Sequence, residues 1–497
     1  MIFRPSNARL CQLKEDRILS ARPLVVDLDG TLILTDVLHE SALQLLRSKP
    51  AQVFFIPFWL SAGKAKLKEK LASDAFFNPE NLPYNHELIA WLKLQSVEGR
   101  RLVLCTASDR LIASQIAAHL GIFEEVIASD GADNVSGRKK AELLEQRFGA
   151  LGFDYIGNSK KDIPVWESSC RGVVANASDQ IIKEAEKACD VEHVFPRRSA
   201  GWLAWLETLR VHQWLKNLLL FVPLLAAHQI ANLNAWAVLL CAFFSFSLCA
   251  SSSYVCNDLL DLESDRHHPR KKNRKFASGS IPVWQGVLTA PVLLIAGLAA
   301  GSVVGQEFLF WVVCYFLLTC TYSIAIKRLM LVDCLTLAAL YTLRIIAGVV
   351  AIGQEASFWL LGFSVFLFLS LAFVKRYTEL ALQLLNGKAE LHGRGYLTAD
   401  LPLIQMMGIT SGYASVVVLA LYLNSTAVTR LYQSPEVVWA TVPLMLFWVS
   451  WMWMQAHRGT MHDDPLVFAL KDKVSLLTGF LFCVVLLVGA VGLPWLQ

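Results

Sequence analysis

The sequence predicts two domains: an N-terminal doubly wound α/β domain with a helical cap, then an all-α polytopic membrane domain of about nine transmembrane helices. Residues before about 200 mix polar and apolar side chains as soluble domains do, whereas later residues form repeated apolar runs. Each run is roughly 20 residues long, enough to cross a hydrocarbon core of about 30 Å. The predicted divisions are a domain at 1–195 with its cap at 36–98, a linker at 196–212 and a membrane domain at 213–497.

Polar side chains follow several short apolar runs within residues 20–195, where β-like and helical runs alternate. The polar clusters are Asp27 with Asp29, Thr106 with Ser108, Lys139 with Lys140, and Asn158 with Asp162. Ligands of doubly wound sheets bind outside the carboxyl ends of the strands. We therefore expect these clusters to form one active site.

Residues 36–98 are predicted to be a mostly helical insertion that covers this active site. Within it, the run VFFIPFWL at 53–60 is strongly apolar but too short to span a bilayer. The favoured interpretation of this run is cap core. The alternative is contact with the bilayer or with a lipid-linked substrate.

A ladder of carboxylates follows the second long apolar run. Asn257, Asp261 and Asp265 are spaced i, i+4 and i+8, which places them on one helix face, and Asp258 accompanies them. Hard oxygens of this kind bind Mg²⁺, which takes further ligands from substrate phosphates when few carboxylates hold it. The basic run at 266–274 supplies counter-charge for the same phosphates. Charged residues at the edge of a membrane are costly to place, which favours a function for this tract. Metal ligands next to phosphate-binding cations predict a diphosphate-binding site.

The apolar runs predict spans near 215–233, 235–256, 283–303, 307–326, 330–352, 357–376, 402–423, 436–455 and 474–495. Lys and Arg concentrate in one set of connecting loops, and the opposite set holds only Arg430. This asymmetry predicts that the basic loops and the carboxylate ladder face the cytoplasm. The first 17 residues lack the apolar core of a signal peptide. We therefore expect a multi-pass protein of the cytoplasmic (inner) membrane, with its soluble domain in the cytoplasm.

Composition argues against several classes of function. The net charge of +4 gives no reason to expect a nucleic-acid partner. Eleven scattered cysteines contain no C-x-x-C pair, so neither a zinc site nor a disulfide framework is expected. The sequence leaves a homo-oligomer open.

Polar residues also stand at or inside the predicted spans. Gln213, Lys216 and Asn217 open the first span, and Arg344 lies in the middle of the fifth. An arginine at that depth needs an anionic partner or a wet cavity. One interpretation is contact with a lipid or substrate phosphate, and the other is an internal salt bridge to Asp333.

Two further charged positions carry open interpretations. Lys327, followed by Arg328, is more typical of a topology signal than of a ligand-binding residue. Asp464 belongs to a charged loop that is interpreted either as a solvated connector or as part of a site.

The soluble half resembles the haloacid dehalogenase-like phosphatase superfamily over most of 20–195. The D-x-D-G-T motif at 27–31 matches in full and is specific. The resemblance implies that Asp27 is the nucleophile that forms an aspartyl-phosphate, and that Asp29 is the general acid and base. The presence of Asp29 favours a phosphatase over a dehalogenase.

The same resemblance implies roles for the other polar clusters. Thr106 would hold phosphoryl oxygens, and Lys139 or Lys140 would stabilise developing charge. Asp162 would bind Mg²⁺ together with Asp27 and the backbone carbonyl of Asp29. The chain departs from the family at Asn158, where an aspartate is usual, which implies weaker metal affinity. The alternative is a degenerate regulatory domain.

The membrane half resembles the UbiA-type prenyltransferase superfamily over about 205–497, through its spans and its N-D-x-x-D-x-x-x-D motif. Within it, the decaprenyl-phosphate phosphoribosyltransferase branch is most similar. The supporting tracts are 210–217, 265–274, 343–348, 375–380 and 464–472. Lys275 departs from the proline that commonly follows the arginine. The loop at 375–400 lacks the second aspartate-rich motif of enzymes that use prenyl diphosphates, which favours a different donor.

The resemblance implies transfer of 5-phosphoribosyl from phosphoribosyl diphosphate to polyprenyl phosphate, followed by removal of the 5-phosphate. Mg²⁺ is expected at both sites. The metal ligands of the transferase would be Asn257, Asp258, Asp261 and Asp265, with Asp258 and Asp261 also counted as catalytic. Lys271 and Arg274 would bind phosphate of the donor. The acceptor phosphate would contact Gln213, Lys216, Asn217 and Arg344. Further substrate-binding candidates are Lys327, Lys375, Arg376 and Asp464.

Three rival functions are open. The first is prenyl transfer from a prenyl diphosphate to a small acceptor, with an unrelated phosphatase domain. The second makes the soluble half a silent binding or regulatory module. The third is a transporter, which the span count favours but the carboxylate ladder with its adjoining basic run does not.

Overall fold

The computed structural model describes residues 22–74, 78–130, 133–197, 201–268, 271–355, 357–391, 394–425, 431–461 and 464–492. The N-terminal residues on which the signal-peptide expectation depends lie outside these ranges, as does Arg430. Within the basic run at 266–274, residues 269 and 270 also lie outside them.

The N-terminal domain is built on six parallel strands. They are β1 (Leu24–Val26), β2 (Leu102–Asp109), β3 (Glu125–Ser129), β4 (Asp154–Gly157), β5 (Arg171–Ala175) and β6 (Asp190–Phe195). Their order is β3-β2-β1-β4-β5-β6, so the chain winds outward from β1 in both directions. β1 is fully buried, as expected of a strand covered on both faces. The predicted doubly wound fold is confirmed, and β1 with β4 forms the switch point where such sheets bind ligands.

Helices cover this sheet and form its cap. In chain order they are α1 (Val37–Ser48), α2 (Ile56–Ser61), α3 (Lys64–Asp74), α4 (His86–Val97), α5 (Arg110–Leu120), α6 (Arg138–Phe148), α7 (Ile163–Ser168), α8 (Asp179–Ala188) and α9 (Trp202–Thr208). Local sequence explains their ends. Asp36 accepts the amide of Leu38 at the start of α1, and Asp109 does the same for Leu111 at the start of α5. Gly121 ends α5 in the left-handed conformation that glycine adopts without strain.

The cap has only a small core. Leu45, Leu67 and Leu71 pack together, and Ile56 and Trp59 lean against them while remaining half-buried. The other described apolar side chains of the run at 53–60 are exposed. The prediction that this run is cap core is therefore wrong for most of it, because the short helix α2 turns only one face toward the cap.

The membrane half is helical, as predicted. Its helices are α10 (Val222–Ala226), α11 (Leu233–Leu260), α12 (Leu262–His267), α13 (Val283–Val304), α14 (Gln306–Ile324), α15 (Val332–Ala351), α16 (Phe358–Leu385), α17 (Leu401–Leu423), α18 (Pro435–Val438), α19 (Thr441–His457), α20 (Pro465–Ala469) and α21 (Lys473–Val491). In the part of the chain that the structure describes, eight segments are long and apolar enough to cross a membrane. The protein is therefore a multi-pass membrane protein.

The first predicted span, near 215–233, does not form one long helix. The chain instead runs through a 3-10 helix at Val211–Phe221 and the short helix α10. Pro223 stands in the first turn of α10, where its missing N–H costs nothing, so a new helix begins there. The apolar segment Val211–Ala226 is shorter than each of the eight candidate spans.

By contacts, the chain forms two compact units that differ from the predicted domain division. One comprises residues 1–208 and 255–289, and the other comprises residues 209–254 and 290–497. The carboxylate ladder therefore belongs, by its contacts, to the unit that contains the sheet. The second unit has apolar clusters built mainly from α11 and α14 to α19.

Candidate functional site

The first site lies at the carboxyl end of β1 and is centred on Asp27. The Lys140 ammonium donates to Asp27 Oδ1 at 2.6 Å, and both side chains are almost completely buried. Lys140 also contacts Cys105 O at 3.2 Å. Burial raises the pKa of Asp27 to about 6 against the opposing charge of Lys140. A buried carboxylate and a fixed cation are therefore held together, an arrangement that formation and breakdown of an aspartyl-phosphate would require.

The structure distinguishes the two predicted lysines. Lys139 is exposed and pairs with Asp133 on the surface. Lys140 is one residue further along α6, and the 100° rotation per residue turns it inward. Lys140, not Lys139, is therefore the lysine of this site.

The second carboxylate of the motif, Asp29, has neutral hydrogen-bond donors. Its Oδ1 accepts the amide of Val37 at 2.9 Å, and its Oδ2 accepts the Ser108 hydroxyl at 2.6 Å. Burial, and then the charge of Asp36, raises the pKa of Asp29 to about 7. A carboxyl group with this pKa can both donate and accept a proton near neutrality, as a general acid and base must.

Thr106 and Asn158 lie where the sequence predicts. Thr106 is fully buried at the end of β2, and its Oγ1 accepts the amide of Ser108 at 3.0 Å. The Asn158 side chain lies against Gly30, where an added Cβ would be 2.1 Å from Asn158 Nδ2. With φ of +75°, position 30 requires glycine both for its backbone and for this contact.

Asp162 is fixed by a network that the sequence did not indicate. Its Oδ2 accepts the amides of Asn158 and Ser159 at 3.1 and 2.9 Å. Its Oδ1 accepts the Tyr155 hydroxyl at 2.7 Å, and that hydroxyl also contacts Lys140 Nζ at 3.0 Å. Tyr155 was missed because an aromatic residue in a buried strand is indistinguishable from core by sequence.

The donor set of this site fits Mg²⁺. Two buried carboxylates, Asp27 and Asp162, are joined through Lys140 and Tyr155, and the negative charge of Asp162 raises the pKa of Asp27 further. One lysine is too little positive charge for these carboxylates and Asp29, and hard oxygen donors suit Mg²⁺.

Lys68 on cap helix α3 is a second residue that the sequence did not indicate. Its ammonium donates to Ala107 O at 2.5 Å and Asn134 Oδ1 at 3.1 Å. Burial lowers the pKa of Lys68, while the charges of Asp29 and Asp36 oppose that effect. A cap cation therefore reaches the carboxyl-terminal part of β2, at the residue after Thr106.

The carboxylate ladder is arranged around Arg274. One guanidinium nitrogen of Arg274 donates to Asp258 Oδ1 at 2.9 Å and to Asp265 Oδ2 at 2.6 Å. Lys271 is half-exposed, with its ammonium 3.9 Å from Asp265 Oδ1. The two predicted classes of residue, metal ligands and phosphate-binding cations, are therefore neighbours.

The ladder crosses a helix break. α11 ends at Leu260, and Asp261 precedes α12, yet the Asp261 amide still donates to Asn257 O at 2.9 Å and the Asp265 amide to Asp261 O at 2.8 Å. The i, i+4, i+8 relationship of the predicted face is thus retained in the backbone.

A cation fits part of this ladder. Asp265 is buried, and its Oδ1 has no hydrogen-bond partner in the described chain. Burial raises the pKa of Asp265 despite Arg274. Within the described ranges, however, no three His, Cys, Asp or Glu residues are grouped as a metal site. The side chains that are close enough supply only part of a coordination sphere, and substrate phosphate oxygens would have to complete it.

The cap and the ladder are joined by a buried ion pair in the same compact unit. The Arg266 guanidinium donates to both oxygens of Glu40 on α1, at 2.7 and 3.1 Å. Glu40 also accepts the Thr35 hydroxyl at 2.8 Å. Bidentate arginine–carboxylate pairs fix geometry as well as charge. The first turn of α1 thus holds Asp29 through the Val37 amide and the ladder through Glu40.

The second compact unit contains a separate charged cluster around Asp464. Asp464 Oδ2 accepts Lys216 Nζ at 2.8 Å and Lys375 Nζ at 3.4 Å. Its Oδ1 accepts the Leu466 amide at 3.3 Å, which caps α20. Burial alone would raise the pKa of Asp464, but the two ammonium groups outweigh it and hold the pKa well below its usual range. The cluster keeps an excess of one positive charge.

Arg344 extends this group of polar residues. Its Nε donates to Asn217 Oδ1 at 2.8 Å, and another guanidinium nitrogen donates to the Tyr315 hydroxyl at 3.0 Å. Asn217 in turn donates to Ser247 at 2.9 Å. The suggested salt bridge of Arg344 to Asp333 is wrong, since uncharged oxygens surround this guanidinium.

Asp333 instead pairs with Arg376 at 2.5 Å, and both side chains are completely buried. Glu379 pairs with the same arginine. Two carboxylate partners favour a structural role for Arg376, and its contact with substrate stays a prediction.

Gln213 contacts His212 at 3.1 Å, and Lys327 lies half-buried in a 3-10 turn. Their substrate contacts also stay predictions.

The fold and these sites define a class: a multi-pass membrane enzyme that carries a doubly wound α/β domain with a D-x-D-G-T site. The UbiA prenyltransferase family matches residues 218–471, and haloacid dehalogenase-like hydrolases match residues 24–167. The chain belongs to the UbiA prenyltransferase family and has an N-terminal haloacid dehalogenase-like domain. Both resemblances seen in the sequence are confirmed.

Three relatives match different shares of the chain. A protein of Sinorhizobium fredii, y4nM, is 38% identical over 92% of this chain and 89% of its own length. The nodulation protein NoeC of Azorhizobium caulinodans is 36% identical over 55% of this chain and 89% of its own. Decaprenyl-phosphate phosphoribosyltransferase of Mycobacterium tuberculosis is 32% identical over 37% of this chain and 62% of its own.

Proposed function

We propose that this protein transfers 5-phosphoribosyl from phosphoribosyl diphosphate to a polyprenyl phosphate and then removes the 5-phosphate to leave polyprenyl-phosphoryl ribose. The observation that carries the proposal is the buried Asp27–Lys140 pair beside Asp29, which would suit a phosphomonoesterase, in a chain of the UbiA family. Similarity to enzymes named decaprenyl-phosphate phosphoribosyltransferase supports the first step.

In the transfer, an oxygen of the polyprenyl phosphate attacks C1 of the ribose, and the bond from C1 to the diphosphate breaks. The acceptor is already ionised at neutral pH, so it needs positioning more than a general base. Lys216, Lys375 and Arg344 are suited to hold an anionic phosphate, because the Asp464 cluster has more positive than negative charge. Lys271 and Arg274 would contact the departing diphosphate.

Mg²⁺ bound by the ladder would supply charge stabilisation for that leaving diphosphate. Asp258, Asp261 and Asp265, with Asn257, are the candidate ligands. Arg274 now neutralises Asp258 and Asp265, so we expect it to release a carboxylate when cation and diphosphate bind.

In the hydrolysis, a carboxylate oxygen of Asp27 attacks phosphorus, and the ribose O5 leaves with a proton from Asp29. Water, deprotonated by Asp29, then cleaves the aspartyl-phosphate and releases inorganic phosphate. Lys140 and Thr106 would hold the phosphoryl oxygens, and Asp162 with Asp27, the Asp29 carbonyl and Asn158 would be the candidate Mg²⁺ ligands. The removal of phosphate would make the transfer hard to reverse.

The test uses purified protein in membranes with labelled phosphoribosyl diphosphate and polyprenyl phosphate. We expect labelled polyprenyl-phosphoryl ribose from the wild type and its 5-phosphorylated precursor from Asp29→Asn. Absence of any labelled lipid would contradict the transferase proposal. Labelled lipid that keeps its phosphate in the wild type would contradict only the phosphatase proposal.

The alternative is prenyl transfer from a prenyl diphosphate, favoured by the family match itself. The chemistry of a diphosphate leaving group at the ladder would be the same, but the electrophilic carbon would belong to the lipid. Incubation with a labelled prenyl diphosphate and no sugar donor separates the two: a labelled prenylated product would support the alternative.

A further inference from the structure

The surface of the cap carries an exposed apolar patch that the proposed chemistry does not use. Four large side chains form this patch, which we call the apolar tip: Phe54, Phe55, Phe58 and Leu60 are exposed by 87, 54, 71 and 48%. All four lie within one short segment of the 3-10 helix at Pro50–Phe55 and of α2. Clustered exposed aromatic residues mark interaction sites on soluble domains.

The segment that carries the apolar tip is held in place, because its inner side packs against the cap. Ile56 and Trp59 lie against the cap core of Leu45, Leu67 and Leu71. Trp59 and Phe55 also stack, with ring centroids 6.4 Å apart. The cap core thus orients the segment, and the remaining aromatic side chains point outward.

Basic residues flank the apolar tip in the sequence. Between residues 47 and 70 the chain has six basic residues and one acidic residue, Glu69. The exposed basic side chains, which we call the basic rim, are Arg47, Lys49, Lys64, Lys66 and Lys70. Two of them have carboxylate partners: Arg47 lies 3.5 Å from Glu263, and Lys66 lies 2.7 Å from Glu69. The rim keeps more positive than negative charge. Aromatic side chains with flanking lysines are the composition of segments that lie in the interface of a bilayer rather than across it.

We propose that the apolar tip inserts into the interface of an anionic lipid bilayer and anchors the cap there. A bilayer is always available to it, because the same chain carries eight candidate membrane spans. Anionic lipid is the occupant that the basic rim complements. A protein partner that buried the tip would instead need acidic groups to match these lysines.

Insertion has a consequence for the phosphatase site. The apolar tip and Lys68 belong to the same cap, and Lys68 contacts β2 at Ala107, the residue after Thr106. Anchoring the cap would therefore keep the Asp27 site next to lipid-borne phosphates. This consequence depends on the proposed phosphatase function, whereas the insertion itself does not.

The experiment places the photo-crosslinker p-benzoylphenylalanine at Phe58 in the full chain, reconstituted in vesicles of equal parts phosphatidylcholine and phosphatidylglycerol. Leu151, an apolar residue exposed by 55% on the same unit, carries the crosslinker in the matched control. We expect at least a five-fold higher yield of phospholipid adducts from position 58, falling several-fold in pure phosphatidylcholine. The same label at Phe54 repeats the test if the Phe58 variant is poorly produced.

Equal lipid adducts at positions 58 and 151, or adducts from 58 to protein only, would overturn the proposal. Equal yields of lipid adducts from position 58 with and without phosphatidylglycerol would overturn the role of the basic rim. Phe54→Ser with Phe58→Ser should also raise KM for a vesicle-embedded phosphorylated lipid while leaving turnover of a soluble aryl phosphate unchanged. If neither protein hydrolyses the aryl phosphate, the phosphatase proposal fails while the adduct result still decides insertion.

Discussion

The Asp27 site of the sheet domain and the Asp464 cluster of the helical unit contain charge in opposite proportions. At the Asp27 site, the carboxylates of Asp27, Asp29 and Asp162 are accompanied by one buried cation, Lys140, and the pKa values of Asp27 and Asp29 are raised to about 6 and 7. In the Asp464 cluster, one carboxylate pairs with two lysines, Lys216 and Lys375, and the pKa of Asp464 is lowered.

This difference teaches what each site lacks. A site with surplus carboxylates is completed by a cation and keeps one carboxyl ready to exchange a proton. A site with surplus lysines is completed by an anion. The proportions therefore favour metal-assisted phosphoryl transfer at Asp27 and phosphate binding near Asp464.

The largest effect is expected from replacing Asp27, the proposed nucleophile of the sheet domain. Asp27→Asn should lower phosphatase turnover by at least about 10³-fold, since a neutral amide cannot form the aspartyl-phosphate. Phosphate release from an aryl phosphate measures the effect. Asp190→Asn, on an exposed aspartate of the same domain, is the control and should be silent. Activity near that of the wild type in Asp27→Asn would remove the phosphatase assignment.

The ladder is tested by Asp261→Ala. We expect transfer to fall by about 10²-fold or more, because a ligand of the leaving-group metal would be lost. Phosphatase turnover should stay intact, which separates a local loss from misfolding. Transfer at the wild-type rate would show that the ladder does not hold the metal.

The surplus of lysine in the Asp464 cluster predicts an effect on substrate binding rather than on the chemical step. Lys216→Gln should raise KM for polyprenyl phosphate by about 10-fold, the worth of one charge-assisted hydrogen bond. Lys388→Gln, on an exposed lysine, is the matched control. A fall in kcat at unchanged KM would contradict phosphate binding by this cluster.

The sequence predicts those site residues that belong to a distinctive motif or spacing. The D-x-D-G-T motif located Asp27 and Asp29, and the strand pattern placed Asp162 at the same edge. Lys139 and Lys140 could not be separated, because only the orientation of α6 decides which of them turns inward.

The remaining features depend on tertiary contacts. Lys68 reaches the site through the packing of α3, and no local signal distinguishes it from Lys66 or Lys70. Glu40 and Arg266 are far apart in the chain, so their ion pair leaves no trace in the sequence. The first predicted span is interrupted in the structure, because a new helix begins at Val222, next to Pro223, and hydropathy does not register such a change.

The smallest expected effect concerns Lys68, which adds a cation from the cap to the Asp27 site, where carboxylates outnumber cations. Lys68→Met should raise KM for a phosphorylated sugar by about five-fold and change kcat little, because one hydrogen-bonded cation is lost while Asp27, Asp29 and Lys140 remain. Lys70→Met, on the exposed side of the same helix, should have no effect. Lys68→Arg should restore part of the affinity, as an effect of charge requires and an effect of packing alone does not. An equal fall in kcat for Lys68→Met and Lys68→Arg would instead mean that Lys68 supports the end of β2 near Thr106 rather than contacting substrate.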